Sequence, residues 1–460
     1  MFSLVVRNRN ILMFILSVIL IFFFMLMCKI EISNAERVIL PFCFFIFISS
    51  GIYLLLNHFC KDKFCAKIFL ISVLLHLIFV LFWQFLKYYL LGLHVPTTYS
   101  FHGYVSDVDG GKYHALGVYI SQHISSGVLS EKLYGGLFPK IIGFVYHYLG
   151  INPFYIACLN ALISGFTAII IFLIGKITLA SIETAKIFSI LSILNFAHLM
   201  NTSTLIRDAY IVLFMYLSLY FSYYFYKTKK LIPLVCTLIS LYLLYLFREY
   251  AAFVILFAII ITFTYLNLRI AKKGNGIKSN NIGIALIILS PIIITGICLL
   301  FVKMTTFFNI FSASDLITLR EVAYSGSSSD FAFDFMKLYK IFPLLPFMLG
   351  YVFMILAPFP WEWVLARRLI YVPDMIILYS FLSSFFKNIK TTLTEKEYFP
   401  VVFFFSIIFM FSIYCFTLGN SGSIHRNRGP FIPMIYLIAM YRPDKFLNRI
   451  LYKIQQWRIV

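Results

Sequence analysis

Four arginines stand in short polar breaks of a chain that is otherwise almost entirely apolar: Arg207, Arg248, Arg426 and Arg428. A charge beside a lipid bilayer is costly, so a charge that is kept there is a candidate for function. The planar guanidinium group can donate two parallel hydrogen bonds to a phosphate, and it stays charged at any physiological pH. We therefore take these four residues as the candidate phosphate-binding residues.

Two of these arginines also have a simpler interpretation as ion pairs. Arg207 is followed directly by Asp208, and Arg248 by Glu249, so a neighbouring carboxylate could satisfy each charge near lipid. The functional alternative is that the carboxylate orients the arginine toward a phosphate, which makes Glu249 a candidate substrate-binding residue. The sequence leaves both interpretations open.

Arg426 and Arg428 lie in the segment His-Arg-Asn-Arg-Gly-Pro, without an adjacent acid. Pro430 favours the start of a helix, and cationic groups gathered at a helix N-terminus favour an anion site. His425 joins the candidate substrate-binding residues, because histidine can act as an acid or a base near neutral pH. If this segment faced the cytoplasm, the two arginines would only be positive-inside anchors.

The other polar break is acidic and reads Ser-Asp-Val-Asp-Gly-Gly-Lys-Tyr over residues 106–113. A carboxylate can deprotonate or orient an attacking hydroxyl group, so Asp107 and Asp109 are the candidate catalytic residues. The structural alternative is a helix N-terminus, where Asp is favoured as a cap. No cofactor or metal is expected; a divalent cation held by both carboxylates is the alternative, because hard cations prefer oxygen ligands.

Three further residues of the same region are candidate substrate-binding groups: Tyr113, His114 and Lys140. Lys140 could reach a phosphate, although a lysine that snorkels to the membrane surface is an equally good interpretation. Apolar residues recur near helical spacing between residues 113 and 124. This spacing predicts an amphipathic helix that lies in the membrane interface and ends at Gly127.

Composition places the chain in a membrane. Of its 460 residues, 62% are hydrophobic and 12% are charged, whereas a soluble domain carries about 25% charged residues. The net charge of +20 does not indicate a nucleic-acid partner, because much of it falls in short loops, as the positive-inside rule expects. We find no internal repeat and no soluble second domain, so residues 1–460 are expected to form a single integral-membrane domain.

The expected fold is all-α, a polytopic membrane protein with about 12 spans plus interfacial or re-entrant helices, since a span needs about 20 mostly apolar residues. The predicted spans are 11–30, 38–56, 67–92, 153–175, 184–200, 208–226, 231–247, 251–268, 282–302, 370–386, 399–418 and 430–441. The apolar stretch 341–357 contains prolines, so it is interpreted as a span, a re-entrant hairpin or an interfacial segment.

Basic loops set the predicted orientation. The loops at 61–67, 227–230 and 269–278 all fall on one side when spans are counted, and this side is the cytoplasm by the positive-inside rule. The outer face then receives two long loops, 93–152 and 303–340. The second contains a run rich in Ser and Gly and is predicted to be mobile. The three breaks that carry the arginines and the acidic break all lie at the outer face if the stretch 341–357 does not cross the membrane.

With these features the chain resembles the integral-membrane glycosyltransferases of the GT-C superfamily. Within that group it is most similar to bacterial O-antigen or capsule repeat-unit polymerases of the Wzy type and to the related family-39-like transferases. The resemblance rests on the acidic loop of Asp107 and Asp109, Tyr113, the breaks at 205–208 and Arg248, the motif Pro358-Phe359-Pro360-Trp361, and the segment 426–430. It covers most of the chain as a pattern. The acidic loop here follows the third predicted span, whereas in many members it follows the first.

The resemblance implies glycosyl transfer from a polyprenyl-(pyro)phosphate-linked donor at the outer, periplasmic face of the bacterial inner membrane. The arginines would bind the phosphate leaving group, and an aspartate would activate the attacking hydroxyl. The implied partners are lipid-linked glycan donor and acceptor, the bilayer and a chain-length regulator protein, with no nucleic acid. The alternatives are a transferase of single sugars and a flippase for lipid-linked oligosaccharides. A flippase would keep its basic residues at mid-membrane depth, whereas here they cluster at span ends.

The predicted orientation can be tested with single cysteines at positions 106 and 421 (Ser106→Cys, Ser421→Cys) in otherwise cysteine-free protein. Both are expected to react with a membrane-impermeant maleimide from the outer side of intact cells, because three basic loops predict the same orientation of the chain in the membrane. Reaction of the Ser421→Cys protein only after the inner side is exposed would contradict a site on the outer face.

Overall fold

The computed structural model describes residues 32–90, 108–124, 135–271, 337, 340–342, 345–359, 371–395, 397–417 and 421–456. Within these residues the chain forms helices and no strand. The helices are α1 (Ile32–Phe59), α2 (Phe64–Leu90), α3 (Val108–Gln122), α4 (Phe138–Leu149), α5 (Pro153–Thr178), α6 (Ile182–Ile193), α7 (Phe196–Thr202), α8 (Asp208–Thr228), α9 (Leu231–Phe247), α10 (Glu249–Ala271), α11 (Leu345–Leu356), α12 (Val372–Glu395), α13 (Tyr398–Thr417), α14 (Ser421–Arg428), α15 (Ile432–Tyr441) and α16 (Lys445–Gln456). A 3₁₀ turn, Gly429–Phe431, links α14 to α15.

Several of these helices are long and apolar enough to cross a bilayer. The five segments are Val38–Phe59, Phe64–Phe82, Pro153–Thr178, Asp208–Thr228 and Glu249–Leu268. They coincide with predicted spans, so the prediction of an all-α membrane protein is confirmed. The count becomes six if the bent pair α6 and α7 is one span. The described residues thus do not provide the number of spans expected from hydropathy.

Some predicted spans and loops fall on other parts of the chain. The predicted spans 11–30 and 282–302 lie outside the described residues, as do nearly all of the outer loop 303–340 and much of the loop 93–152. The basis for these predictions therefore remains the sequence.

Two predicted spans are shorter or more polar than expected. Helix α9, Leu231–Phe247, is an apolar helix of 17 residues. The predicted span 370–386 is the first part of α12, whose second half carries Lys387 and Lys390. Charged groups of this kind are not stable in lipid.

The predicted span 184–200 is instead two helices, α6 and α7, which meet at an angle of 57°. Asn195 stands at the break, and its side-chain oxygen accepts a hydrogen bond of 2.9 Å from the backbone N–H of His198. An asparagine that caps the first turn of the second helix competes with continuation of the first. One polar residue in an apolar run therefore accounts for the break.

The chain divides into two compact units. Unit 1 contains Met1–Ile169 and Leu199–Leu213, and unit 2 contains Ile170–His198 and Phe214–Val460. Helices α1 to α4 belong to unit 1, and α9 to α16 belong to unit 2. The single domain predicted from the sequence stays a prediction.

In unit 1, α3 and α4 pack closely because glycines of each helix face isoleucines of the other. A Cβ atom added at Gly117 would lie 2.9 Å from the Cβ of Ile142, and one added at Gly143 would lie 2.6 Å from the Cβ of Ile120. Neither position has room for a side chain. Helix α3 begins at Val108, earlier than the predicted start, and packs on α4. It is one half of a helical hairpin, and its place in the membrane interface stays a prediction.

In unit 2, α15 lies in the core. All nine residues from Ile432 to Met440 are buried, and the helix contacts α6, α12 and α13. A helix that is apolar on every side is buried, either in lipid or in protein. Its 10 residues reach only about 15 Å at 1.5 Å per residue, about half of a bilayer core. The predicted span 430–441 is therefore a core helix.

His114 lies inside the α3–α4 hairpin. It is 6% exposed, and its Nδ1 atom lies 2.9 Å from the hydroxyl of Tyr146. Burial lowers the pKa of His114 from 6.5 to about 4. The ring is therefore neutral at pH 7, and its hydrogen bond to Tyr146 is one between neutral groups.

We expect acid to destabilise this hairpin. The unfolded chain takes up a proton on His114 near pH 6.5, whereas the folded hairpin does so only near pH 4. Between these values the unfolded state binds more protons, so stability falls as the pH drops through this window. Hydrogen exchange of α3 and α4, residues 108–122 and 138–149, corrected for the intrinsic pH dependence of exchange, measures the effect.

The matched control uses the exposed histidine of the same helical region, His123. His114→Gln should lose the extra acid sensitivity, and His123→Gln should keep it. The same acid sensitivity in both variants would contradict the role given to His114.

Candidate functional site

A break between two apolar helices places Arg248 in the interior of unit 2. Helix α9 ends at Phe247, and Arg248 follows with an extended backbone, φ −154° and ψ 94°. Its carbonyl then accepts hydrogen bonds from the N–H groups of Ala251 at 3.1 Å and Ala252 at 3.4 Å, which begin α10. Arg248 thus ends one helix and starts the next, and the residue is only 8% exposed.

Neutral polar groups contact this guanidinium, and together they form the Arg248 cluster: Arg248, Tyr250, Tyr414 and Asn427. Nη1 of Arg248 donates to the side-chain oxygen of Asn427 at 3.3 Å and to the hydroxyl of Tyr414 at 3.5 Å. The hydroxyl of Tyr250 lies 3.2 Å from that of Tyr414. The ring of Tyr250 lies 5.7 Å from the guanidinium carbon. Both arginine contacts are longer than the about 2.7–2.9 Å of a strong charge-assisted hydrogen bond.

Arg428 is fully buried, and its guanidinium group closes the end of α11. Nη1 donates to the carbonyls of Met354 and Ile355, both at 3.1 Å. The last carbonyls of a helix have no partner within it, and leaving them bare inside a protein is costly. Nη2 lies 3.0 Å from Sδ of Met375. Arg428 therefore connects α14 to both α11 and α12.

His425 sits between Arg428 and an aromatic ring. Its Nδ1 atom lies 3.0 Å from Nη2 of Arg428, and its ring stacks on Tyr371 with centroids 3.8 Å apart and 8° between the planes. Because arginine can only donate, Nδ1 of His425 accepts this hydrogen bond. Burial lowers the pKa of Arg428 to about 10, and the charge of Asp374 opposes this shift. Arg428 thus keeps its charge at neutral pH.

A buried carboxylate of unit 2 also lies at a helix end. Asp374 is 1% exposed, and its two oxygens accept hydrogen bonds from the N–H groups of Phe196 at 2.7 Å and Ala197 at 2.6 Å. These N–H groups belong to the first turn of α7, where an anion is favoured. Asp374 and Arg428 therefore stabilise contacts between helices of unit 2.

Arg426 and Arg428 lie in the last turn of α14, together with His425. The sequence predicts a helix that starts after them, but Pro430 lies in the 3₁₀ turn that follows. Cationic residues are favoured at a helix C-terminus, because they face the negative end of its dipole. Arg426 is half-buried, so part of this residue is accessible. Glu249 is also half-buried, at the first position of α10.

In unit 1, Asn160 of α5 holds the break around Arg207. Its Nδ2 atom donates to the carbonyls of Thr204 at 2.7 Å and Ile206 at 3.0 Å. Arg207, which follows, is half-buried, and Asp208 is buried at the start of α8. The break is therefore a fixed turn, anchored by a polar side chain from an apolar span.

The other predicted residues of unit 1 lie on the α3–α4 hairpin. Asp109 is half-buried in the first turn of α3, where a carboxylate also stabilises the helix dipole. Tyr113 is 1% exposed, so it and His114 belong to the hairpin core. Lys140 is half-buried in the first turn of α4. Asp107 lies outside the described residues.

The structure brings Arg248 into contact with α14, the helix that carries His425, Arg426 and Arg428. Arg207 and the candidates on the hairpin belong to the other unit. Among the described residues, no group of three His, Cys, Asp or Glu side chains could hold a metal ion. The guanidinium and phenol groups of the Arg248 cluster can donate hydrogen bonds to an anion.

Sequence reasoning missed several residues that hold the candidates in place: Asp374, Asn160, Asn427 and Tyr414. Two of them carried a usable signal, because Asp374 and Asn160 are polar residues within predicted spans, where a polar group needs a partner. Asn427 lies between two arginines and carries no separate signal in the sequence. Tyr414 carried no signal, since it is one of 31 tyrosines.

A scan against protein-family models, a search of curated proteins and a search of solved structures each found no match to this chain. Similarity therefore supports no family assignment, and inference of function rests on the geometry of the two units.

Replacing Arg428 and Arg426 by glutamine, one at a time, tests whether Arg428 has the larger structural role. Arg428→Gln removes one partner of a buried charged network, which we expect to lower the free energy of unfolding by about 3 kcal/mol. Arg426→Gln is the matched control on the same turn of α14, and it should cost less than about 1 kcal/mol because the residue is half-buried.

Thermal unfolding of the purified variants in one detergent, followed by intrinsic fluorescence, gives the comparison. An equal loss of stability in both variants would contradict the division of roles between the two arginines.

Proposed function

We propose that this protein is a membrane glycosyltransferase that uses polyprenyl-(pyro)phosphate-linked donors and polymerises the repeat units of a surface polysaccharide. The Arg248 cluster supports this proposal. In it a buried guanidinium, two phenol hydroxyls and an amide meet where two apolar helices are interrupted. Charged donors at the ends of apolar helices suit a phosphate that is attached to a lipid tail.

In this proposal Arg248 and Arg426 bind the phosphate that leaves the sugar, and phosphate binding by Arg207 stays a prediction from the sequence. The contacts of Arg248 at 3.3 Å and 3.5 Å would give way to shorter bonds with phosphate oxygens. These bonds strengthen as negative charge grows on the leaving oxygen, and an interaction that is stronger in the transition state accelerates the reaction. Arg428 holds the neighbouring helix ends in place.

The proposed reaction moves a glycosyl group from a phosphate oxygen to a hydroxyl group. Asp107 or Asp109 accepts the proton of the attacking hydroxyl, whose oxygen forms the new bond to the anomeric carbon. The bond between that carbon and the phosphate oxygen breaks, and its electron pair stays on the phosphate. Buried Tyr113 and His114 would position the helix that carries Asp109.

Several finer features belong to the same proposal. They are a GT-C-like architecture with about 12 spans, a place in the bacterial inner membrane with the site facing the periplasm, and a chain-length regulator as partner. Half-buried Lys140 and Glu249 are the proposed further contacts to substrate, with His425 beside the arginines. A transferase of single sugars would use the same phosphate-binding cluster and would differ in the glycan that it carries.

Purified protein in lipid nanodiscs, supplied with polyprenyl-pyrophosphate-linked glycans from cells that lack this gene, tests the proposal. We expect longer lipid-linked glycans and an equal molar amount of released polyprenyl pyrophosphate. Arg248→Lys should lower the transfer rate about 100-fold, because lysine lacks the planar two-point fork. Asp→Asn at the essential member of the Asp107 and Asp109 pair should lower it by a similar factor.

Arg442→Lys is the matched control, because Arg442 is an exposed arginine that pairs with Glu395, apart from the cluster. It should keep full activity. Unchanged transfer in Arg248→Lys and in both aspartate variants would overturn the proposal. Movement of the glycan across a vesicle membrane without a new glycosidic bond would instead identify a flippase.

A further inference from the structure

Helix α16 has two chemically different faces. Leu447 and Leu451 are 0% and 3% exposed, and the helix contacts α6 and α12 of unit 2. The opposite face carries Lys445, Arg449 and Lys453, all of which are exposed. Residues four apart on a helix are neighbours on its surface, so these three side chains form one stripe of positive charge.

Hydrogen bonds fix the start of α16 to α12. Oδ1 of Asp444 accepts from the N–H of Leu447 at 2.8 Å and so caps the helix. Oδ2 of Asp444 accepts from the hydroxyl of Ser383 at 3.1 Å, and the N–H of Asp444 donates to the hydroxyl of Ser384 at 3.1 Å. The basic stripe therefore keeps one orientation on unit 2.

Two aromatic side chains border the stripe. Phe446 is 58% exposed and Tyr452 is 60% exposed, and at about 100° per residue they fall on either side of the three cations. Within the described part of the chain, no carboxylate forms an ion pair with Lys445, Arg449 or Lys453. Exposed aromatic rings beside unneutralised basic residues are typical of a surface at the boundary of membrane and water.

We propose that this face of α16 binds anionic phospholipid headgroups on the surface of the membrane that holds the protein. Each basic residue close to an anionic bilayer raises the binding constant about fivefold, so three residues raise it about 100-fold. Phe446 and Tyr452 would lie in the headgroup layer, which accommodates amphipathic rings. The charge alone would also suit an acidic protein, but the two aromatic residues favour the bilayer. This inference does not depend on the proposed enzymatic function.

Hydrogen exchange of residues 445–456 in the full-length protein tests the inference. The protein is placed in nanodiscs of phosphatidylcholine alone and in nanodiscs with one third phosphatidylglycerol. We expect exchange of this helix to slow about tenfold or more in the anionic nanodiscs. The difference should vanish in 1 M salt, where the screening length falls to about 3 Å. Inorganic phosphate added to the neutral nanodiscs should leave the exchange unchanged.

The variant with Lys445→Gln, Arg449→Gln and Lys453→Gln should lose the difference between the two kinds of nanodisc. Its control removes the same charge from another exposed set, with Lys61→Gln, Lys63→Gln and Lys67→Gln, and should keep the difference.

Equal exchange of the wild-type helix in neutral and anionic nanodiscs would overturn the proposal, and so would a difference that survives in the first variant. Protection by inorganic phosphate alone would assign the charge to a soluble anion instead of a lipid. If the first variant does not fold, the wild-type comparison and its salt dependence still decide the outcome, because a difference that persists in 1 M salt is not electrostatic.

Discussion

Two helix ends inside unit 2 are closed by buried charged side chains, and these contacts connect helices that are distant in sequence. The carbonyls at the end of α11 receive the guanidinium of Arg428, and the N–H groups at the start of α7 receive the carboxylate of Asp374. Because each charge is buried, removal of either one leaves polar groups without compensation. These contacts join α12 to the start of α7, and α14 to the end of α11.

The short helix α14 takes part both in these structural contacts and in the candidate site. In α14, Arg428 closes α11, while the preceding Asn427 contacts Arg248. Arg426, one residue earlier, is half-buried. Successive helical residues point about 100° apart, so three neighbours face three different surroundings. A helix anchored in this way holds Arg426 and Asn427 in fixed positions.

Hydropathy predicted the long apolar helices of the described chain, because a run of about 20 apolar residues has few other stable structures. Hydropathy did not predict the bend at Asn195, because the bend depends on the hydrogen bond of one side chain. It also did not predict that α15 is buried in protein, because apolar content does not show whether lipid or protein surrounds a helix. The polar breaks identified Arg248 and Arg428 as residues with a structural or chemical role. The partners of Arg428 could not be predicted from the sequence, because they are backbone carbonyls and every residue type has one.

The α3–α4 hairpin carries a constraint on how its sequence can change. Gly117 faces Ile142, and Gly143 faces Ile120, so each helix supplies one small and one large member of a reciprocal pair. Growth of either glycine requires a matching reduction of the isoleucine opposite, and the two changes are therefore coupled rather than additive. The hairpin therefore accepts a larger residue at either glycine only together with a smaller residue opposite it. A lineage of such proteins would cross between alternative packings here only through compensating changes on both helices.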